Sequence, residues 1–148
     1  MPMLRDDRQV ALNDVIVLCR DAADHYRDAA ALLERGEPAR LLDDLARRRA
    51  QAADELARHS RQLGDLPDEP DPDKETVDNL VTRLKALFVE DERRTVLAET
   101  EQIEAQIAAA AAAALGQPLP DTTLALLRRL EKDIQATRRR LVLVRTNL

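Results

Sequence analysis

LNDVIVLCRDAADHYRDAAALL, residues 12–33, decides the fold. Leu12, Val15/Ile16, Cys19, Ala22/Ala23, Tyr26, Ala30 and Leu33 recur at spacings of three and four. That rhythm puts them on one stripe of a long helix, against which other helices must pack.

The rest of the chain has the same character. Alanine, leucine, arginine and the acids dominate, with one Tyr, one Phe and no Trp among 148 residues. Few β-branched residues and many alanines favour helix. At 45% hydrophobic and 34% charged, the chain is suited to a single domain over 1–148 with a real core. The lack of aromatics argues against nucleic-acid modules, which stack bases on them. No run approaches the roughly 18 apolar residues of a membrane span. The start, MPMLRDDRQVAL, has no apolar signal region. Cys19 is the only cysteine, so no internal disulfide is possible and a reducing cytoplasm is the expected compartment. On the apolar stripe it reads as a small buried hydrophobe rather than a reactive thiol.

Three glycines punctuate the pattern: Gly36, Gly64 and Gly116. Each precedes proline within a few residues, the stop–start signature of consecutive helices. The expected helices span about 7–35, 38–63, 73–88, 93–115 and 121–147. In the second, Leu42, Leu45, Arg49, Ala52, Leu56, His59 and Leu63 form the stripe. In the third long helix it is Val96, Thr100, Ile103, Ile107, Ala110 and Ala114, with Ala108 to Ala114 read as a packing surface. In the last it is Leu127, Leu130, Ile134, Thr137, Leu141 and Val144.

Between the two hairpins lies DLPDEPDPD, residues 65–73, followed by the short helix 73–88 and a break near 89–92. Ten extended residues and a fifteen-residue helix reach roughly 50 Å, the length of a bundle. The expected architecture is therefore all-α: a ferritin-like four-helix bundle with a long crossover, containing a short extra helix, between helices two and three. Charge is unevenly spread, with thirteen acids against five bases over 64–107 and seven bases against three acids over 121–148. The two regions are expected to lie near each other in the bundle or across a subunit interface, and the favoured reading is a pair of complementary solvated faces.

LNDVIVLCRDAADHYRDAA with RRRAQAADELARHSRQLG resembles an uncharacterised bacterial family of ferritin-like four-helix bundles. Its first-helix pattern is L-N-x-L-I-x-x-x-x-D-G-x-x-G-Y-x-x-A-A, matched by Leu12, Asn13, Asp21, Tyr26, Ala29 and Ala30. Arg49, Glu55 and Leu56 match its second-helix E-R-x-x-F-x-x-E-L, and Glu101 stands at a family acid. Ala22 and His25 replace glycines, Ala52 a phenylalanine and Ala108 a tyrosine. The resemblance implies a fold but carries no activity.

Ferritin-like di-metal sites take a carboxylate from each of two helices and Glu-x-x-His from the other two. This chain has only His25 and His59. Glu55 and His59 are four apart, not three. The last helix offers Glu131 and Asp133 without histidine, and Arg138 where a ligand would be sought. The one set left is Glu55, His59 and Glu104, a degenerate iron or manganese site and the alternative to a protein without cofactor. His25 and Asp24 fall off the first stripe and are expected in solvent, where His25 lacks the surroundings of a phosphoryl acceptor. Arg49 and His59 interrupt an apolar stripe and are the buried polar candidates. A buried arginine needs an acid, with Glu101 or Glu104 expected; otherwise it snorkels to the edge. His59 reads as a helix-end residue and Ser60 as surface.

No phosphate loop, nucleophile–base constellation or metal-finger spacing is present. The function expected is non-enzymatic: an interaction or structural module, forming a homodimer and contacting an unidentified protein, with no nucleic-acid or membrane partner. The acidic stretch 65–73 is a candidate dock for a basic protein.

Overall fold

The computed structural model describes residues 6–64 and 92–148. They form four helices: α1 (Asp7–Leu33), α2 (Glu37–Gln62), α3 (Glu92–Leu115) and α4 (Asp121–Thr146). No described residue is in a strand, and no described helix is long and apolar enough to cross a membrane. The expected helix 73–88 and most of the break at 89–92 lie outside the described residues.

Local chemistry sets the helix ends. Asp6 caps α1 by accepting from the Gln9 N–H, while the Gln9 side chain accepts from the Asp6 N–H. This reciprocal box satisfies two otherwise orphaned donors. The α1–α2 corner is tighter than the glycine alone suggests. Helix α1 stops at Leu33 rather than Arg35, and Glu34 turns the chain at φ 65°. The Arg35 N–H reaches back to the Leu33 carbonyl at 2.7 Å. Gly36, at φ 99° and ψ 179°, then caps α2 from a region essentially closed to side-chain-bearing residues. Pro38 in the first turn of α2 loses no hydrogen bond there.

Every predicted stripe residue of α1 is buried, and so is every one of α4. Leu12, Ile16, Leu42, Leu45, Leu56, Ile107, Leu127 and Ile134 are fully enclosed, each contributing roughly 1.5–3 kcal/mol. Helix α2 departs from its predicted stripe. Its buried face is Leu42, Leu45, Ala46, Arg49, Ala53, Leu56, Ala57 and Ser60. Ala52, His59 and Leu63 are only half-buried. The face is turned toward the alanines because small side chains allow α1 to approach closely, and α1–α2 is the most extensive interface. Alanines 22, 23, 29 and 30 of α1 and 39, 46, 53 and 57 of α2 are all buried. Helix α3 shifts the same way: Ala111 replaces Ala110 in the core, and Leu97 and Glu104 join it. Of the seven-alanine run only Ala111 and Ala114 are buried.

Contacts near the helix ends fix the directions. The Gln9 side chain donates to the Leu63 carbonyl, tying the start of α1 to the end of α2. His59 meets Thr123, tying the end of α2 to the start of α4. Arg140 pairs with Glu37, and Arg94 donates to the Leu148 carbonyl. Neighbouring helices are thus antiparallel, with α1 beside α2 and α3, and α4 beside α2 and α3. Helices α2 and α3 run the same way on opposite corners, so α2 ends and α3 begins at opposite ends of the bundle.

Candidate functional site

Halfway along the bundle each helix sends one polar side chain to a common centre. These are Tyr26 from α1, Arg49 from α2, Glu104 from α3 and Asp133 from α4. Tyr26, Arg49 and Glu104 are at most 1% exposed. Arg49 reaches across the bundle and forks onto Glu104. Its Nη2 lies 2.6 Å from Oε1, and its Nε 3.2 and 3.0 Å from Oε1 and Oε2. The Tyr26 hydroxyl donates to Glu104 Oε2 at 2.7 Å. The third arm of the guanidinium, Nη1, donates to Asp133 Oδ2 at 2.7 Å.

A buried Arg49 requires an acid, and Glu101 and Glu104 of α3 are the two expected from the sequence. The structure selects Glu104, while Glu101 pairs with Arg145 of α4 at 3.1 Å. The snorkelling alternative is overturned, since the Arg49 head is enclosed. Tyr26 and Asp133 were not foreseen as members. A signal existed for Tyr26: a phenol on a core stripe must find a partner for its hydroxyl. Asp133 gave less warning. It is half-exposed, and its other oxygen takes Arg48 Nη1 at 2.6 Å. Arg48 also donates to Asp44 at 3.0 Å and to Thr137 at 3.3 Å.

Electrostatically the centre is closed. Burial alone lowers the Arg49 guanidinium's affinity for its proton, but Glu104 and then Asp133 reverse this, so it is held above its ordinary value. Burial, followed by the Glu104 charge and hydrogen bond, pushes the Tyr26 phenol well above its usual range. Burial likewise pushes the Cys19 thiol up to about 12. It stays protonated at neutral pH, a small packed side chain as the sequence suggested. Neither phenol nor thiol is set up as a base or nucleophile at neutral pH.

The metal candidates do not converge. Glu104 is spent on Arg49 and Tyr26. His59 Nδ1 sits 2.7 Å from Thr123 Oγ1. Glu55 is half-buried, with the Gln51 amide at 3.5 Å. Among the described residues no group of three or more His, Cys, Asp and Glu could hold a metal ion. Among the described residues Glu55, His59 and Glu104 do not come together as an iron or manganese centre. Glu131 and Arg138 are half-buried on α4.

Two expectations are corrected. His25 is fully buried, not solvated, and neither ring nitrogen has a hydrogen-bond partner. Its ring meets the edge of Tyr26 at 6.1 Å between centroids. Helix α1 is enclosed over a wider arc than its apolar stripe, burying Asn13 and Asp21 as well. Burial lowers the His25 pKa and keeps the ring neutral; Asp28 opposes this only in part. Ser60 is also fully buried, its hydroxyl without a partner, because the core face of α2 is turned toward it. Asp24 is exposed as expected and pairs with Arg27.

A family model described as a domain of unknown function (DUF2383) matches residues 8–117, from the first turn of α1 to just past α3. Tyr26, Arg49 and Glu104 fall inside that span, and Asp133 outside it. No match was found among curated proteins or among solved structures.

Proposed function

The chain belongs to this family of domains of unknown function, and we propose that it works without chemistry of its own, as a ferritin-like bundle acting through contact with other proteins. The observation that carries this reading is the self-neutralised centre. In ferritin-like metalloproteins the inward carboxylates hold metal ions. Here the cation beside Glu104 and Asp133 is Arg49, supplied by α2 itself. A carboxylate saturated by a forked arginine and a phenol has little left to offer a substrate or metal. The ferritin-like assignment draws support from α2 and α3, which run parallel on opposite corners, the arrangement that one long crossover produces.

The first partner is a second copy of the chain. Supporting it are Val142, Leu143 and Leu148, large apolar side chains exposed at 39%, 57% and 41% toward the end of α4. Large apolar side chains left in solvent near one helix end suit an interaction surface. A bacterial cytoplasm is the proposed setting, which suits a single unbridged thiol. Light scattering on the full chain at micromolar concentration tests the dimer. Twice the monomer mass, reduced to one by Leu143→Glu, supports it. A monomer at every concentration refutes it.

A further inference from the structure

The seam between α2 and α4 is the least closely packed of the four helix interfaces. Several contacts cross it, Arg140 with Glu37 and Arg48 with Thr137 among them, and two bracket a cleft. Arg49 lies opposite Asp133 and His59 opposite Thr123, ten residues apart on each antiparallel helix (59 − 49 and 133 − 123). The helices are pinned at these two levels. Between them a cleft of about 250 Å³ opens to solvent, bordered by Ala52 and Glu55 of α2 and by Leu126, Arg129, Leu130 and Asp133 of α4.

Its lining is sorted by chemistry. At the Asp133 end all the charges are engaged: Asp133 holds both Arg48 and Arg49. The middle is apolar, with Ala52 of α2 at the level of Leu130, and Leu126 one turn further along α4. Ala52 is small, which leaves the space open. Two charges border this apolar part from opposite helices without meeting. Arg129 is exposed and has no ion-pair or hydrogen-bond partner among the described residues. Among the described residues Glu55 has no ion-pair partner and accepts only from the neutral Gln51 amide, at 3.5 Å. A cation and an anion without ion-pair partners, bordering a small apolar floor, match a ligand that carries both charges and an apolar body. The volume lies below the roughly 300–1,000 Å³ of pockets for drug-sized ligands, which limits the ligand to a small molecule.

We propose that this cleft binds an α-amino acid with an apolar side chain: carboxylate on Arg129, ammonium on Glu55, side chain on Ala52, Leu126 and Leu130. Arginine suits the carboxylate because its planar fork matches both oxygens. The cleft borders the closed centre at Arg49 and Asp133 but uses neither of them, and it does not depend on the interaction role proposed above.

The test is an amide-resolved NMR titration of the full chain with L-leucine, leucinamide (ammonium only) and N-acetyl-leucine (carboxylate only). The expected result is saturable shifts at Ala52, Glu55, Leu126 and Arg129 with leucine, and binding at least fivefold weaker with either half-blocked analogue. Glu55→Gln should weaken leucine but not N-acetyl-leucine. Arg129→Gln should weaken leucine but not leucinamide. Ala52→Leu fills the cleft and should abolish binding, with the amides of α1 and α3 unmoved as proof of folding. No saturable shift with leucine overturns the proposal. So does an analogue that binds as well as leucine, or binding that survives Ala52→Leu.

Discussion

Tyr26 and His25 are neighbours on α1 and equally buried, yet they meet opposite surroundings. Tyr26 joins a centre where a cation, a carboxylate and a phenol satisfy one another. His25 has no hydrogen bond at either ring nitrogen. The comparison shows two ways to bury a polar group. A permanent charge such as Arg49 can be enclosed only with its counter-charge, because solvation lost on burial must be replaced by direct contacts. Histidine has another option, since it can shed its proton and enter the core neutral. The first solution ties four helices together at one level. The second leaves a weak point that responds to pH.

Breaking the paired site should do most damage. Arg49→Met leaves Glu104 as an uncompensated buried carboxylate and is expected to cost about 3–5 kcal/mol, read from urea unfolding. Tyr26→Phe removes one donor to a charged acceptor while keeping the ring, and should cost about 1.5–3 kcal/mol by the same measurement. Asp133→Asn weakens only the half-exposed arm, since Arg49 keeps Glu104 and Arg48 keeps Asp44; about 0.5–1 kcal/mol is expected.

The unpaired site should show almost nothing at neutral pH and a clear sign below it. A free histidine titrates near pH 6.5, and burial lowers His25 below that. Above about pH 6.5 both folded and unfolded chains hold it neutral. As pH falls below that value, the unfolded chain takes up a proton that the folded one resists, so stability declines. Unfolding midpoints of wild type and His25→Leu measured between pH 5 and 8 should therefore diverge on the acid side, with the variant the flatter. Parallel curves would mean that His25 finds a partner for its proton.

Much of the fold was legible because periodicity and punctuation act locally. The α1 stripe, the α4 stripe and Pro120–Asp121 at the start of α4 follow from spacing alone. The face of α2 was not, because Ala52 and Ala53 are indistinguishable by hydrophobicity. Close approach to α1 decided between them, and that depends on another helix. The same rotation buried Ser60. Glu104 was readable as a partner once Arg49 was placed in a core, since a buried guanidinium requires an acid. Which helix would supply the second acid was not, because Asp133 borders its stripe and is paired partly at the surface. His25 escaped because an off-stripe position is solvated only where nothing else covers it.

The claim that the bundle's centre is a closed ion pair rather than an open site is tested most directly by a double-mutant cycle on Arg49 and Glu104. Arg49→Met, Glu104→Leu and the double variant would be unfolded in urea beside wild type. Each single change should destabilise by about 3–5 kcal/mol, and the double variant should regain most of that loss, because no buried charge is left unpaired opposite Glu104's position. Single effects below about 1 kcal/mol that simply add in the double variant would contradict the account, for the two charges would then be solvated and uncoupled.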